Sequence, residues 1–349
     1  MSLLKIAKRA KVSVATVSRT INRVPAVNPT LARRVWRAIE ELGYYPNTNA
    51  RALASGRSRI FGLIVSEIIN PFFPEIVQTF AELGVEHNYE VFLSSMTQEP
   101  HWLEVAARQM MERRVDGVAI LTFGREDSLV EIFRRRNVPT VVVDAECPGP
   151  LLKSIRIDYQ HGIRQAVQHL AAMGHEHIAF ISGPAHLKTA MARRAAFQEC
   201  MKEIGLQITP ALLVDGDHTM EAGVSAMSTL AALADRPSAV ICSNDMTAIG
   251  VMRKAFELDL DIPRDLSVVG FDDIRWARFM TPPLTTVQMS QSEIATLAFG
   301  ALLDIVEAQG TGSLREVYEI RTNLVLRSST AMAPGRLRES SADQRVGAL

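Results

Sequence analysis

The chain is 349 residues long, with 38 Lys/Arg, 38 Asp/Glu and 47% hydrophobic residues. That length is enough for two or three domains with ample core, and no run approaches the roughly 18 apolar residues that argue a membrane span. The basic N-terminus lacks the apolar stretch of a secretory signal, and Cys147, Cys200 and Cys242 are too few and too scattered for a disulfide framework or a metal site, so the expectation is a soluble cytoplasmic protein with reduced, buried cysteines.

Overall neutrality hides an asymmetry. Residues 1–59 carry 12 Lys/Arg against 2 Asp/Glu, a net charge of +10, which leaves −10 on residues 60–349. A basic head on an acidic body fits a polyanion-binding module joined to a part that must not bind polyanions. Lys8, Lys11, Arg33, Arg34, Arg51 and Arg57 are candidates for phosphate contacts.

In chain order, Ile6, Ala7 and Ala10 make an apolar stripe on a first helix. Ser13 is a good N-cap for a second, because its hydroxyl can accept an otherwise unpaired backbone N–H. In that second helix Val17 and Ile21 share the face that packs on the first, while Val14, Ala15, Ser18 and Arg19 share another. Small side chains let a backbone approach base edges, and an Arg can grip guanine O6 and N7 with two hydrogen bonds. The pair reads as a helix-turn-helix; taken alone, a short amphipathic pair with a solvated face explains it equally well. A third helix begins at Asn28-Pro29, runs through Leu31, Val35, Ile39 and Leu42, and stops at Gly43. Asn47 to Ser55 is a short helical stretch unable to persist alone. It is either a linker or a helix that folds when two copies pair on DNA.

From Ile60 the texture changes. Short apolar runs at Ile60 to Val65, Val91 to Ser95, Val118 to Leu121 and Thr140 to Val143 alternate with helical patterns at Phe73 to His87 and Leu103 to Arg114. The alternation resumes after Asp158, with strands at Ile178 to Ile181, Leu212 to Val214, Ala239 to Cys242 and Leu266 to Gly270. Helices are predicted from about Gly162 to Met173, Ala190 to Ile204 and Met246 to Leu258. Such alternation predicts parallel sheets covered by helices, and two series predict two doubly wound subdomains. Ligands in such sheets bind outside the carboxyl ends of the strands. No G-x-S-x-G, P-loop or HExxH occurs, so no catalytic residue, cofactor or metal is expected. His175 and His177, flanking Glu176, read as a loop pair. Residues 331–349, rich in Ser, Ala and Arg, are expected to be disordered.

These features together resemble the lactose/galactose repressor (LacI/GalR) family. The head carries the likeness in Ala7-Lys8-Arg9-Ala10, Val12-Ser13-Val14-Ala15-Thr16-Val17-Ser18-Arg19, Ile21-Asn22 and Ala38-Ile39-Glu40-Glu41-Leu42-Gly43-Tyr44-Tyr45-Pro46-Asn47. Ala50-Arg51-Ala52-Leu53-Ala54 matches the family's hinge helix. The body carries it in Asn70-Pro71-Phe72-Phe73, Arg114-Val115-Asp116-Gly117, Asp158 to His169, Asn244-Asp245, Gly270-Phe271-Asp272-Asp273 and Pro283-Leu284-Thr285-Thr286-Val287, and it continues to about Arg327. The chain departs from the family at Lys5, usually acidic, and at Leu31-Ala32, often Thr-Arg.

The resemblance implies an all-α helix-turn-helix head at 1–46, a hinge at 47–59 and a periplasmic-binding-protein-like α/β core at 60–330 for effector binding and dimerisation. Its first subdomain would hold 60–157 and 285–330 and its second 158–284, with three crossings, the last near Pro282 to Ser290. The implied function is a sequence-specific DNA-binding transcriptional regulator, a repressor, acting as a homodimer on a pseudo-palindromic operator under a small effector, a sugar or sugar acid. By the same resemblance Ser13, Val14, Ala15, Thr16, Ser18, Arg19, Asn22 and Arg51 face DNA, and Leu53 wedges into the minor groove. In the cleft, Phe72 and Phe73 stack on the effector, Arg193 grips its hydroxyls or carboxylate, and Asp272 is the effector-binding acid. Asn244 is a weaker candidate, and His218 stands where many relatives have an aromatic ring. The tail lacks the leucine heptads that make tetramers of some members. Two other readings stay open. One is a family member controlled by a phosphocarrier protein; the other is a sugar-binding protein of transport type, against which the basic head argues.

Overall fold

The charge asymmetry coincides with a structural division. The computed structural model describes residues 3–21, 27–44, 57–96, 101–124, 127–145, 149–307 and 317–334. Met1–Arg59 and Ile60–Leu349 are separate compact units.

The first unit holds three helices, α1 (Leu3–Ala10), α2 (Val14–Ile21) and α3 (Pro29–Glu41). Ile6, Ala7 and Ala10 of α1, Val17 and Ile21 of α2, and Val35, Ala38 and Ile39 of α3 close one small core. The third helix starts as its sequence demands: Asn28 accepts a hydrogen bond from the Thr30 amide at 2.9 Å, and Pro29 fills the first turn, where its missing N–H is no loss. It ends with the Gly43 and Tyr44 amides bonded back to the Glu40 and Ile39 carbonyls.

The second unit begins with β1 (Ile60–Val65), α4 (Phe72–His87), β2 (Glu90–Ser95), α5 (Trp102–Glu112), β3 (Gly117–Leu121), α6 (Asp127–Arg135), β4 (Thr140–Val143) and β5 (Leu152–Asp158). It continues with α7 (Tyr159–Ala172), β6 (Ile178–Ile181), α8 (Lys188–Glu203), β7 (Leu213–Val214), α9 (Met220–Ala231), β8 (Ala239–Cys242), α10 (Asp245–Glu257), β9 (Ser267–Asp272) and β10 (Thr285–Gln288). The last elements are α11 (Gln291–Glu307), β11 (Val317–Arg321) and β12 (Asn323–Val325). They form two six-stranded sheets, ordered β2-β1-β3-β4-β5-β11 and β7-β6-β8-β9-β10-β12. Pairing is parallel except for β12, which runs antiparallel to β10. Strands β3, β4, β6 and β8 are buried at every position, which is why they read as unbroken apolar runs rather than alternating ones. Among the described residues no helix is long and apolar enough to cross a membrane.

The chain passes between the two lobes three times: after β5 at Asp158, between β10 and α11, and between β11 and β12 at Thr322. These crossings interlock. The Thr322 hydroxyl donates to the Asp158 carbonyl at 2.6 Å and accepts from the Gly162 amide at 3.0 Å. A Cβ at Gly162 would collide with Val287 and Thr322, so only glycine lets the three segments meet. The expected last crossing near Pro282 to Ser290 is therefore corrected. Thr285–Gln288 and Asn323–Val325 are strands of the second sheet, so 285–330 does not belong wholly to the first lobe. Nor is the start of the tail disordered. The Ala331 amide donates to Ser267 Oγ at 3.0 Å, His175 Nε2 lies 2.9 Å from the Ala331 carbonyl, and the Ala333 amide reaches the Met173 carbonyl at 2.9 Å. The remainder, 335–349, lies outside the described residues. Cys200 and Cys242 are buried free thiols.

Candidate functional site

In the first unit the candidate surface is the exposed side of α2. Ser13 Oγ accepts from the Thr16 amide at 3.1 Å and sits 2.9 Å from the Thr16 hydroxyl, so Ser13 caps the helix that carries Thr16. The Thr20 hydroxyl is turned back to the Thr16 carbonyl at 2.8 Å. With Val17 and Ile21 buried against α1, the side left outward presents Val14, Ala15 and Arg19, flanked by the half-buried Thr16 and Ser18. Two small side chains and one Arg on an open helical face suit close approach to a groove. Lys8, Lys11 and Arg33 are exposed. Arg34 has another use: its guanidinium donates to the Ala10 and Lys11 carbonyls at 2.6 and 3.0 Å, closing the end of α1. Asn22, Arg51 and Leu53 lie outside the described residues.

In the second unit a cleft of about 560 Å³ opens at the carboxyl ends of the strands of both sheets. Phe72 and Phe73 begin α4, where Asn70 accepts from the Phe72 amide at 3.1 Å. Their rings meet edge-on at 5.3 Å, and Phe123 joins them at 5.4 and 6.0 Å, making an aromatic wall on the first lobe. Opposite stands Arg193 of α8, only 4% exposed. Its guanidinium lies 4.1 Å from the Phe271 ring centre and 5.1 Å from that of Tyr159, and donates to the Ser243 carbonyl. Its Nε has no hydrogen-bond partner.

Asp272, at the end of β9, faces Arg193 at 3.8 Å. Burial pushes its carboxyl up to about 7, with Arg193 pulling the other way. Its backbone sits at φ 110°, a conformation that costs a non-glycine residue energy. The turn is held from behind: Asp245 accepts from the Ile274 amide at 2.8 Å and from the Thr286 hydroxyl at 2.5 Å. Asp245 is itself buried, which drives its carboxyl well above the ordinary range, the Asp272 charge adding to the effect.

His218 lines the cleft at φ 70°, its Nε2 2.9 Å from Ser243 Oγ. Burial first, then the Arg193 charge, lowers the imidazole to about 3, so it is neutral near pH 7. Its ring occupies the space that a side chain at Gly183 would fill. Asn244 lines the cleft too, but both ends of its amide are engaged. Its oxygen caps α10 at the Thr247 amide, 2.9 Å away, and its nitrogen holds the His218 carbonyl at 3.0 Å. Phe72, Phe73, Arg193, His218, Asn244 and Asp272 are thus brought to one cleft. The sequence reading missed Phe123, Phe271, Asp144 and Tyr159. Asp144 directly follows the run Thr140 to Val143, the place where strand ends meet ligands, and that was its available signal.

A second concavity, of about 850 Å³, lies at the opposite ends of the second sheet's strands, between Glu176, His177, Asp235 and Arg236. Its wall includes the His177–Asp235 pair at 3.0 Å. Neighbouring His175 is packed against Ser238 and Ala331, so its ring is committed to the fold.

Two family models match the chain: bacterial regulatory proteins, lacI family, over residues 2–47, and periplasmic binding protein-like domain over residues 167–330. The HTH-type transcriptional repressor PurR of Erwinia tasmaniensis is 32% identical over 95% of this chain and 97% of its own length. The HTH-type transcriptional repressor CytR of Escherichia coli K12 is 32% identical over 94% and 96%. Among solved structures, the Lac repressor dimer bound to operator and the anti-inducer ONPF superposes with a TM-score of 0.83 at 27% identity, over 95% of this chain and 99% of that one. The transcriptional regulator CelR–cellobiose complex gives 0.71 at 28% identity, over 94% and 99%. With head and core both matched and the likeness running almost end to end, the chain belongs to the lacI family of bacterial regulatory proteins and is a DNA-binding transcriptional regulator.

Proposed function

We propose that the protein is a repressor whose operator affinity is set by a small polyhydroxylated effector, a sugar or sugar acid, held in the cleft between Arg193, Asp272 and the Phe72–Phe73 wall. The observation that carries this reading is the buried Arg193–Asp272 pair. At 3.8 Å the two groups are too far apart to satisfy one another by a direct hydrogen bond, and Arg193 Nε is unpartnered. A polyol hydroxyl both donates and accepts, so it can fill such a gap with charge-assisted bonds. The relatives support this direction, since one solved neighbour is a complex with cellobiose and another with an anti-inducer. On the DNA side, Ser13, Val14, Ala15, Thr16, Ser18, Arg19 and Asn22 read the groove, Arg51 and Leu53 act at the hinge, and two copies bind a pseudo-palindrome.

A thermal-shift screen of sugars and sugar acids tests the cleft. At a concentration ~100 times its dissociation constant, a true effector stabilises the fold by about 2.7 kcal/mol. Arg193→Ala should lose that shift while keeping operator binding. A compound that stabilises the variant as much as the wild type removes Arg193 from the site.

A further inference from the structure

Arg193 reaches the first lobe through a single intermediary, Tyr159. On its own lobe it meets Asp272 at 3.8 Å and the Phe271 ring. It also lies over the ring of Tyr159, the first residue of α7 and so the first residue beyond the Asp158 crossing. The Tyr159 hydroxyl donates to Asp144 Oδ2 at 2.5 Å. Asp144 sits one residue past β4 in the first lobe, in a left-handed turn at φ 56°. Its other oxygen accepts from the Ile157 amide at 2.8 Å, at the end of β5. One carboxylate of the first lobe thus spans the crossing and ends on the platform beneath the effector-facing arginine.

We propose that the Asp144–Tyr159 hydrogen bond is the positioning element through which occupancy of the cleft at Arg193 reaches the first lobe. The idea rests on the effector reading of the cleft. A phenol bonded to a carboxylate is short and strong, and away from water it tolerates little stretching. A ligand oxygen that recruits the free donor of Arg193 draws the guanidinium away from the Tyr159 face. Tyr159 can follow only by carrying Asp144, and with it the ends of β4 and β5. The first lobe opens with Ile60, the residue after Arg59 of the head, so its orientation is what the DNA-binding half is joined to. Burial raises the Asp144 carboxyl above the ordinary range, against the hydrogen bonds from Tyr159 and Ile157 and, to a lesser degree, the Arg193 and Arg156 charges, which lower it.

Amide hydrogen exchange on the ligand-free, full-length protein tests this. Tyr159→Phe keeps the ring under Arg193 and removes only the hydroxyl. The informative amides are 122–124 and 187–189 at the cleft mouth, where the Thr189 hydroxyl donates to the Phe123 carbonyl at 2.9 Å and Lys188 reaches Asp127 at 2.8 Å. The hydrogen bonds that Asp144 makes with Ile157 and Tyr159 lie outside these segments. They should exchange several-fold faster in Tyr159→Phe, while β1 and β8 are unchanged. Asp144→Ala, which also removes the acceptor of the Ile157 amide, should speed exchange at the mouth as well, and adding Tyr159→Phe to it should change the mouth no further, because the bond between the two is already gone. Faster exchange confined to 157–160 with an unaltered mouth makes the bond a local contact and overturns the proposal. No ligand enters this measurement, so that result is distinct from a failed effector screen, which would remove the effector reading itself.

Discussion

Arg19 is the only charged side chain of α2, and it stands on the open face beside Val14 and Ala15. Its reach is set by a helix that Ser13 caps and Val17 and Ile21 anchor. Arg19→Ala should cost roughly 1–3 kcal/mol and relax preference at one base pair per half-site. Binding to a panel of single-base operator variants checks this; a uniform loss across the panel counts against base reading. Asp272 makes a different residue-level prediction, through pH. An ordinary aspartate titrates near ~4, whereas burial lifts Asp272 to about 7. Between those values the folded chain holds a proton that the unfolded chain has released. Asp272 therefore contributes stability at acid pH that is lost as pH rises through about 7. Asn does not titrate, so the variant lacks the slope that Asp272 imposes on the wild type. The melting temperature of Asp272→Asn, relative to wild type, should climb from pH 5 to 7 and level off by pH 8. A difference that is flat with pH, or that falls, contradicts the assignment. A strained and partly protonated acid is the kind of group a fold keeps for binding rather than for stability.

At the scale of elements, α2 is eight residues long and cannot persist alone, so its cap matters more than in a long helix. Ser13→Ala removes the acceptor for the Thr16 amide and should destabilise the head by about 1 kcal/mol. Thermal unfolding of residues 1–59 measures it, and an unchanged midpoint means that α1 and α3 alone hold α2 in place. The same elements show what was legible beforehand. Strands β1, β4, β6 and β8 fall where the runs at Ile60, Thr140, Ile178 and Ala239 predict them, because burial on both faces leaves no polar interruption. Strand β5 was hidden. It reads Leu-Lys-Ser-Ile-Arg-Ile-Asp, and Lys153 is buried only because Asp304 and Tyr318, from α11 and β11, meet its ammonium at 3.1 and 3.2 Å. Helix α11 was hidden for another reason: it packs on α4 and on the first sheet, so its apolar residues spread beyond one stripe. In the cleft, Arg193 and Asp272 were legible through family motifs. The Asp144–Tyr159 bond was not, since it joins residues 15 apart on either side of a crossing whose path only the fold reveals.

At the scale of the whole molecule, the division at Arg59 separates charge as well as structure: the unit that binds DNA carries +10 and the unit with the cleft carries −10. Counterion release by the basic head supplies most non-specific affinity, and it acts without reference to the cleft. Effector control must therefore work on the specific term, through the two lobes and the segment 47–55, which lies outside the described residues. If Leu53 wedges between bases as the family likeness implies, Leu53→Ala should weaken operator binding far more than binding to random DNA, because the bend is lost while phosphate contacts remain. Linkage adds a stricter demand. Whatever factor the effector imposes on operator affinity, operator must impose on effector affinity, a coupling typically worth about 1–3 kcal/mol. Effector binding, measured by calorimetry on the full chain with and without operator, should shift by the same factor as operator binding measured with and without effector. A protein reduced to residues 60–349 should bind the effector with the affinity of the DNA-free full chain and ignore operator altogether, since its cleft and its pivot at Asp158, Gly162 and Thr322 are complete within that unit. Equal factors are required by linkage whatever the route, so the truncation decides the route: a truncated protein that binds the effector differently would place part of the coupling outside the lobes and break the path from Arg193 to the DNA.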